Sequence, residues 1–278
     1  MANLIMRFPG GKGKAVTLSY DDGVEQDIKL IEIVKKYGIR GTFNLNSGCY
    51  PPEDITWAPG TIHRRMPKSK VTKVYSNCDW EVATHGYTHP SLVGLPINIA
   101  TQEIVDDRKA LEEQFGGMIR GFAYPFGAYD DTAVEVLRSC GICYARTVGT
   151  THDFNIPKDW LRLDATCHHN DPMLMELAQR FLDIPANWDP KMFYLWGHSY
   201  EFEEKDNWDV LENFCKLVGG KEDIWYATNI EIYDYWYAFK QLRFNMAMNE
   251  CYNPTATDVW FCYGDKELVI KGGETIKF

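Results

Sequence analysis

The sequence predicts an α/β barrel, with parallel strands in a ring, helices outside it and a small β segment at the C-terminal end. Three observations carry this reading. Short apolar runs alternate with amphipathic stretches along most of the chain, the pattern of parallel strands joined by helical crossovers. Roughly seven such units suit a closed barrel better than an open sheet. The final ~30 residues lose the helical period and read as strands and hairpins. A length of 278 residues is ordinary for one barrel with a full core. Residues 1–245 are expected to form the barrel, and residues 246–278 a β appendage packed on it.

In order, Ala15–Ser19 reads as the first strand. Glu25–Tyr37 reads as a helix, with Leu30, Ile31, Val34 and Tyr37 on one side and Gly38 as its stop. Gly41–Leu45 is the next strand. Residues 50–78, broken by Pro51, Pro52, Pro59, Gly60 and Pro67, read as a long loop, and such loops are usually functional or mobile. Glu81–Thr84 is a short strand, Gln102–Phe115 a helix closed by Gly116 and Gly117, and Ile119–Tyr124 a strand. Asp131–Cys140 is a helix ended by Gly141, and Ile142–Ala145 a strand. Met173–Leu182 and Trp208–Val218 are helices, separated by the strand Met192–Trp196. Ile224–Thr228 is a strand and Glu231–Arg243 a helix. Asp258–Tyr263 and Glu267–Lys271 form a hairpin about Gly264 and Asp265, and a last short strand follows Gly272 and Gly273.

A formal net charge of −10 without any Lys/Arg-rich run argues against nucleic acid and anionic membranes as partners, because phosphate binding needs a basic face. No apolar stretch reaches the ~20 residues that span a bilayer. The N-terminal stretch has no h-region, so a cytoplasmic location is expected. Eight cysteines in a chain of this length read as buried apolar residues, not a disulfide scaffold.

Four strand ends carry chemistry. Ser19-Tyr20-Asp21-Asp22-Gly23 places two carboxylates on one sharp turn, where one can bind a metal and the other move a proton; Asp-Asp-Gly is also common turn chemistry. His85-Gly86-Tyr87-Thr88-His89-Pro90 sets two imidazoles four residues apart, so that both reach one ion. One carboxylate plus two histidines with an open position describes a catalytic metal site, for zinc by default and for Fe(II), Co or Mn on the same donors. The strand Phe193–Trp196 leads through Gly197 to His198, a candidate general acid. Ala123-Tyr124-Pro125-Phe126-Gly127 ends another strand, where a backbone N–H after the Pro turn can serve an oxyanion.

In this order the motifs resemble those of the polysaccharide deacetylases, carbohydrate esterase family 4, over roughly residues 14–230. The resemblance implies a distorted (β/α) barrel and a metal-dependent hydrolase that removes acetyl groups from an amino sugar or oligosaccharide. It implies Asp21 as general base, Asp22, His85 and His89 as ligands of a divalent metal, zinc by expectation, and His198 as general acid. It places Pro125 and the Phe126 N–H at the oxyanion, and Trp196 as a wall around the acetyl methyl. The partner implied is an acetylated carbohydrate.

The chain departs from the family pattern at Ala123, where the family carries an arginine that orients the base. Arg162, in Trp160-Leu161-Arg162-Leu163-Asp164, is the candidate substitute from a neighbouring strand. An O-acetyl ester or cyclic amide hydrolase on the same site, and a non-catalytic sugar-binding relative, are the competing readings. Cys140-Gly141-Ile142-Cys143 reads as structural despite its redox spacing. Cys167-His168-His169 reads as a site-lining or incidental segment, with a second metal cluster as the alternative. Trp57, Tyr75, Trp80 and Trp160 suit sugar stacking or a core equally.

Overall fold

The computed structural model describes residues 3–278 and begins with a short strand, β1 (Leu4–Arg7). Next comes β2 (Lys14–Asp21), whose eight residues are all buried. A strand buried along its full length is covered on both faces. One face of β2, through Val16, Leu18 and Tyr20, packs under helices α1 (Asp27–Lys35), α5 (Leu174–Asp183) and α7 (Trp208–Val218). The other face carries Thr17, Ser19 and Asp21, whose side chains turn to polar partners inside the ring.

The remaining barrel strands are β3 (Gly41–Leu45), β4 (Glu81–Thr84), β5 (Gly121–Ala123), β6 (Tyr144–Thr150), β7 (Leu163–Ala165), β8 (Cys167–His168) and β9 (Lys191–Gly197). All pair in parallel, in the order β7-β6-β5-β4-β3-β2-β9-β8. A further strand, β10 (Ile224–Tyr226), pairs with the start of β2. Closure rests on one extended segment. β7 pairs with β6, β8 pairs with β9, and only Thr166 separates them, so residues 163–168 bridge the two ends of the sheet. Thr166 is held there by its N–H to the Tyr194 carbonyl at 2.9 Å, and its hydroxyl accepts the Tyr194 N–H at 3.0 Å.

Helices α3 (Ile97–Phe115), α4 (Asp131–Ser139) and α8 (Asn229–Lys240) complete the outer layer. Two further helices were not expected from the sequence. α2 (Lys68–Tyr75) lies within the stretch read as a loop, and α6 (Tyr200–Glu204) follows β9 directly. Helix α3 starts five residues before the expected Gln102, and β6 runs five residues beyond the expected Ala145. Of residues 163–168, only Leu163 and Asp164 were expected in a strand, beside Arg162.

The β segment forms two small sheets, and one of them recruits the other end of the chain. β13 (Val259–Tyr263) pairs with β14 (Lys266–Ile270) as the expected hairpin, and β1 adds antiparallel to β13. β11 (Arg243–Phe244), β12 (Glu250–Tyr252) and β15 (Thr275–Lys277) form the second sheet. Tyr235 of α8 ties this unit to the barrel: its hydroxyl donates to the Arg7 carbonyl at 2.6 Å and accepts the Trp260 N–H at 2.9 Å.

Candidate active site

Parallel strands all end at one rim, so the turns after β2, β4, β5 and β9 meet there. They bring Asp21, Asp22, His85, His89, Phe126 and His198 together. Among the described residues six non-glycine positions have left-handed backbone, and three of them are Asp22 (φ 80°), His89 (φ 61°) and Phe126 (φ 59°). Such conformations persist only where their surroundings hold them, and here they aim side chains or backbone at a common point.

The two adjacent aspartates face different partners. Asp21 points into the barrel and is buried. Asn44 of β3 donates to its Oδ1 at 2.7 Å, and Arg146 of β6 donates to its Oδ2. The same Oδ2 lies 3.7 Å from His85 Nε2 and 3.7 Å from His198 Nε2. Burial alone would raise the Asp21 pKa, but Arg146, aided by His85 and His198, carries it below its ordinary value. Asp21 is therefore a carboxylate between two imidazoles.

Asp22 turns the other way. Arg65 donates to its Oδ1 at 2.6 Å, and His63 Nε2 lies 3.1 Å from its Oδ2. Burial opposes ionisation, yet the His63 hydrogen bond and the Arg65 charge hold this carboxyl far below the usual range. Both partners come from the stretch read as a loop. It is strapped across the turn by Met66 N–H to the Gly23 carbonyl at 2.9 Å and Glu25 N–H to the Arg64 carbonyl at 2.8 Å.

The histidine turn is fixed at its backbone. Asn46 Nδ2 donates to the carbonyls of His85 and Gly86 at 2.6 and 2.8 Å, and buried Asp107 of α3 accepts the His85 N–H at 3.1 Å. His85 Nδ1 lies 2.7 Å from the Ala123 carbonyl, which assigns the proton to Nδ1 and leaves the Nε2 lone pair facing the site. His85 and His89 meet through their Nε2 atoms, 3.2 Å apart. Burial depresses both pKa values, that of His89 to about 4, so both rings are neutral near pH 7. One ligand atom from each of Asp22, His85 and His89 lies within 4.8 Å of the others. A carboxylate and two neutral imidazoles sharing that space fit a divalent cation of the zinc type.

His198 follows β9. Its Nδ1 lies 2.8 Å from Glu201 Oε1, one turn along in α6. Burial would discharge this ring, but Glu201 and the Asp21 charge raise its pKa above the ordinary value. Its neighbour Ser199 donates to buried Asp27 of α1, which also accepts the Tyr75 hydroxyl.

Pro125 is buried in the turn after β5. Phe126, beside it, is 70% exposed, with its ring edge-on to His89 at a centroid distance of 4.7 Å. Trp196 is buried in β9, and the Arg146 guanidinium lies 4.3 Å over its ring.

Arg162 does not reach Asp21, the expected base. Its guanidinium binds Asp159 and Asp131 on the rim of the fold. The arginine on Asp21 is Arg146, and the register explains it: Ala123 of β5 and Arg146 of β6 are lateral partners. An arginine moved one strand sideways at the same height reaches the same carboxylate. Reading the strand to end at Ala145 had left Arg146 in a loop. Glu201, His63 and Arg65 were also missed. Glu201 carried a signal in its i,i+3 spacing from His198; the other two lay in an aperiodic stretch.

Elsewhere the structure decides open alternatives. Tyr75 and Trp80 pack on Phe43, each at a centroid distance of 4.6 Å, and Trp160 packs on Tyr233 and Trp236, so these three belong to the core. All eight cysteines are free, Cys140 and Cys143 included. His168 and His169 lie beside Glu201, their Nε2 atoms 3.5 and 3.1 Å from its Oε2.

The strand ends of this parallel barrel thus gather a carboxylate and two imidazoles that could hold a metal, flanked by a second carboxylate and a third imidazole. The profile of the polysaccharide deacetylase family matches residues 9–145 of the chain. Curated proteins gave no match. Among solved structures, a Mycobacterium smegmatis protein named as a polysaccharide deacetylase is similar at a TM-score of 0.59 and 17% identity, covering 84% of this chain and 93% of that one. A family 4 carbohydrate esterase from Streptomyces lividans, in complex with acetate, has a TM-score of 0.52 and 16% identity, covering 77% and 91%. A mutant of a Bacillus anthracis family 4 pseudoenzyme, with restored enzymatic activity, has a TM-score of 0.51 and 18% identity, covering 82% and 69%. At these identities the likeness is one of fold.

Proposed function

We propose that the protein removes N-acetyl groups from an amino sugar or oligosaccharide, with a divalent metal, zinc by preference, held by Asp22, His85 and His89. The observation that carries this is Asp21, an ionised carboxylate locked by Arg146 and Asn44 midway between the ligand cluster and His198. When bound, the metal supplies Lewis-acid polarisation of the acetyl carbonyl and acidifies a water.

The chain's own residues do the rest. Asp21, unprotonated near pH 7, takes a proton from the attacking water as its oxygen bonds to the carbonyl carbon. The C–N bond breaks, and the amine nitrogen takes the proton from His198 Nε2, leaving acetate and a free amine. The Phe126 backbone N–H, presented by a left-handed turn, is the oxyanion donor. Trp196, stiffened by Arg146, is the wall beside the acetyl methyl. Arg146 acts through Asp21 as a positioning residue, which supports catalysis over the sugar-binding alternative that Ala123 had suggested.

Asp22→Ala and His89→Ala are expected to lose bound metal by elemental analysis, while Asp21→Asn keeps it and loses turnover by about 100-fold or more. Full metal occupancy in both ligand variants would refute the site, and unchanged turnover in Asp21→Asn would remove Asp21 as base.

A further inference from the structure

The strap formed by residues 61–66 has no task in the mechanism above, yet three of its side chains are committed in an ordered way. It runs antiparallel to the chain that follows β2, with a bridge between Val24 and Arg65. Successive side chains of an extended segment face opposite sides. His63 and Arg65 face Asp22, and Arg64 faces the other way.

Arg65 holds two turns at once. One of its Nη atoms donates to Asp22 Oδ1 at 2.6 Å and the other to Asn46 Oδ1 at 2.8 Å. Asn46 in turn holds the backbone carbonyls of His85 and Gly86. His63 Nε2 lies 3.1 Å from the second Asp22 oxygen. Both oxygens of that carboxylate are thus fixed from the strap, at a residue whose left-handed backbone needs holding. Arg64 is the anchor. It donates to Glu25 at 2.9 Å and to both oxygens of Glu203 in α6 at 2.8 Å each. Gln26 Nε2 joins them, donating to the Ile62 carbonyl and to Glu203, both at 2.7 Å. A two-pronged arginine–carboxylate pair fixes geometry as well as charge. None of the Arg64 hydrogen bonds reaches Asp22.

We propose that residues 61–66 are the clamp of the metal site: Arg65 and His63 are positioning residues that set the Asp22 carboxylate for the metal, and Arg64 acts through them by fastening the strap to Glu25 and α6. Strap closure and metal binding are then linked. Whatever closure adds to metal affinity, bound metal adds to closure. The inference rests on the reading of Asp22 as a metal ligand. Arg65 is the less decisive residue to change, because its loss frees the carboxylate and also removes a positive charge beside the cation, two effects of opposite sign. The Arg64 charge is already balanced by Glu25 and Glu203, so its replacement reports on the strap alone.

The test is the zinc affinity of the full chain, read by competition with a chromophoric chelator. It is expected to fall about 10-fold or more in Arg64→Gln. Amide hydrogen exchange on wild type needs no variant and decides alone if Arg64→Gln does not fold. Zinc should slow the Met66 and Glu25 N–H groups, which bond the Gly23 and Arg64 carbonyls, beyond any slowing in the β13–β14 hairpin. Unchanged affinity in folded Arg64→Gln overturns the clamp and leaves the ligands in place, as does zinc bound to wild type without that excess slowing. A wild type that binds no zinc removes Asp22 as a ligand, and the clamp with it.

Discussion

Two neighbouring aspartates on one turn face opposite ways, and different cations sit on them. Asp21 meets Arg146 inside the barrel, while Asp22 meets Arg65 and His63 from the strap outside it. The Arg146–Asp21 pair is almost fully buried on both sides, with 1% and 2% of the side chains exposed. Removing one member of such a pair strands the other charge. Arg146→Ala should therefore destabilise the protein by about 3–5 kcal/mol in denaturant unfolding and cut turnover with the metal retained. Adding Ala123→Arg to that variant should recover both, because the two positions are lateral partners; failure of the double variant to recover either would show that height on the sheet is not what matters. The same pair marks how far the sequence was legible. The proposed ligands and proton-transfer residues lay at strand ends in a recognisable order and could be named. Arg146 could not, because its meaning depends on which residue of the next strand lies beside it, and register is not written in either strand alone.

At the scale of elements, the strand–helix alternation was plain wherever a run was long and apolar. It failed where the chain was short and polar. Leu163-Asp164-Ala165-Thr166-Cys167-His168 alternates apolar and polar residues as a strand should, but it divides its pairing between β6 and β9. Helix α2 escaped notice because only Val71 and Tyr75 of its residues are buried. The element that carries a pH-dependent consequence is α1. Its first residue, Asp27, is fully buried between Ser199 and Tyr75, and burial raises its pKa from 3.8 to about 7. A folded pKa above the unfolded one favours the protonated form, so this contribution to stability is full at low pH and is lost as pH rises from about 4 to about 7. Asp27→Asn removes the titration. Its stability relative to wild type should climb across that window in urea unfolding at fixed ionic strength; a constant difference between the two proteins would show that Asp27 does not bind the proton.

For the molecule as a whole, the barrel is a closed ring with a polar interior, sealed by residues 163–168 and clasped at one side by a β unit built from both ends of the chain. The ring fixes the heights of Asp21, Asn44, Arg146 and His198, and the turns at its rim set Asp22, His85, His89 and Phe126 around them. No described helix is long and apolar enough to cross a membrane. The arrangement is proposed to hydrolyse acetyl groups on an amino sugar. Acetate release by zinc- and cobalt-loaded protein tests it most directly, measured across N-acetylated oligosaccharides, O-acetyl xylan and a cyclic ureide. Release is expected from the N-acetylated series, abolished by Asp21→Asn. Bound metal with no release from that series would contradict it.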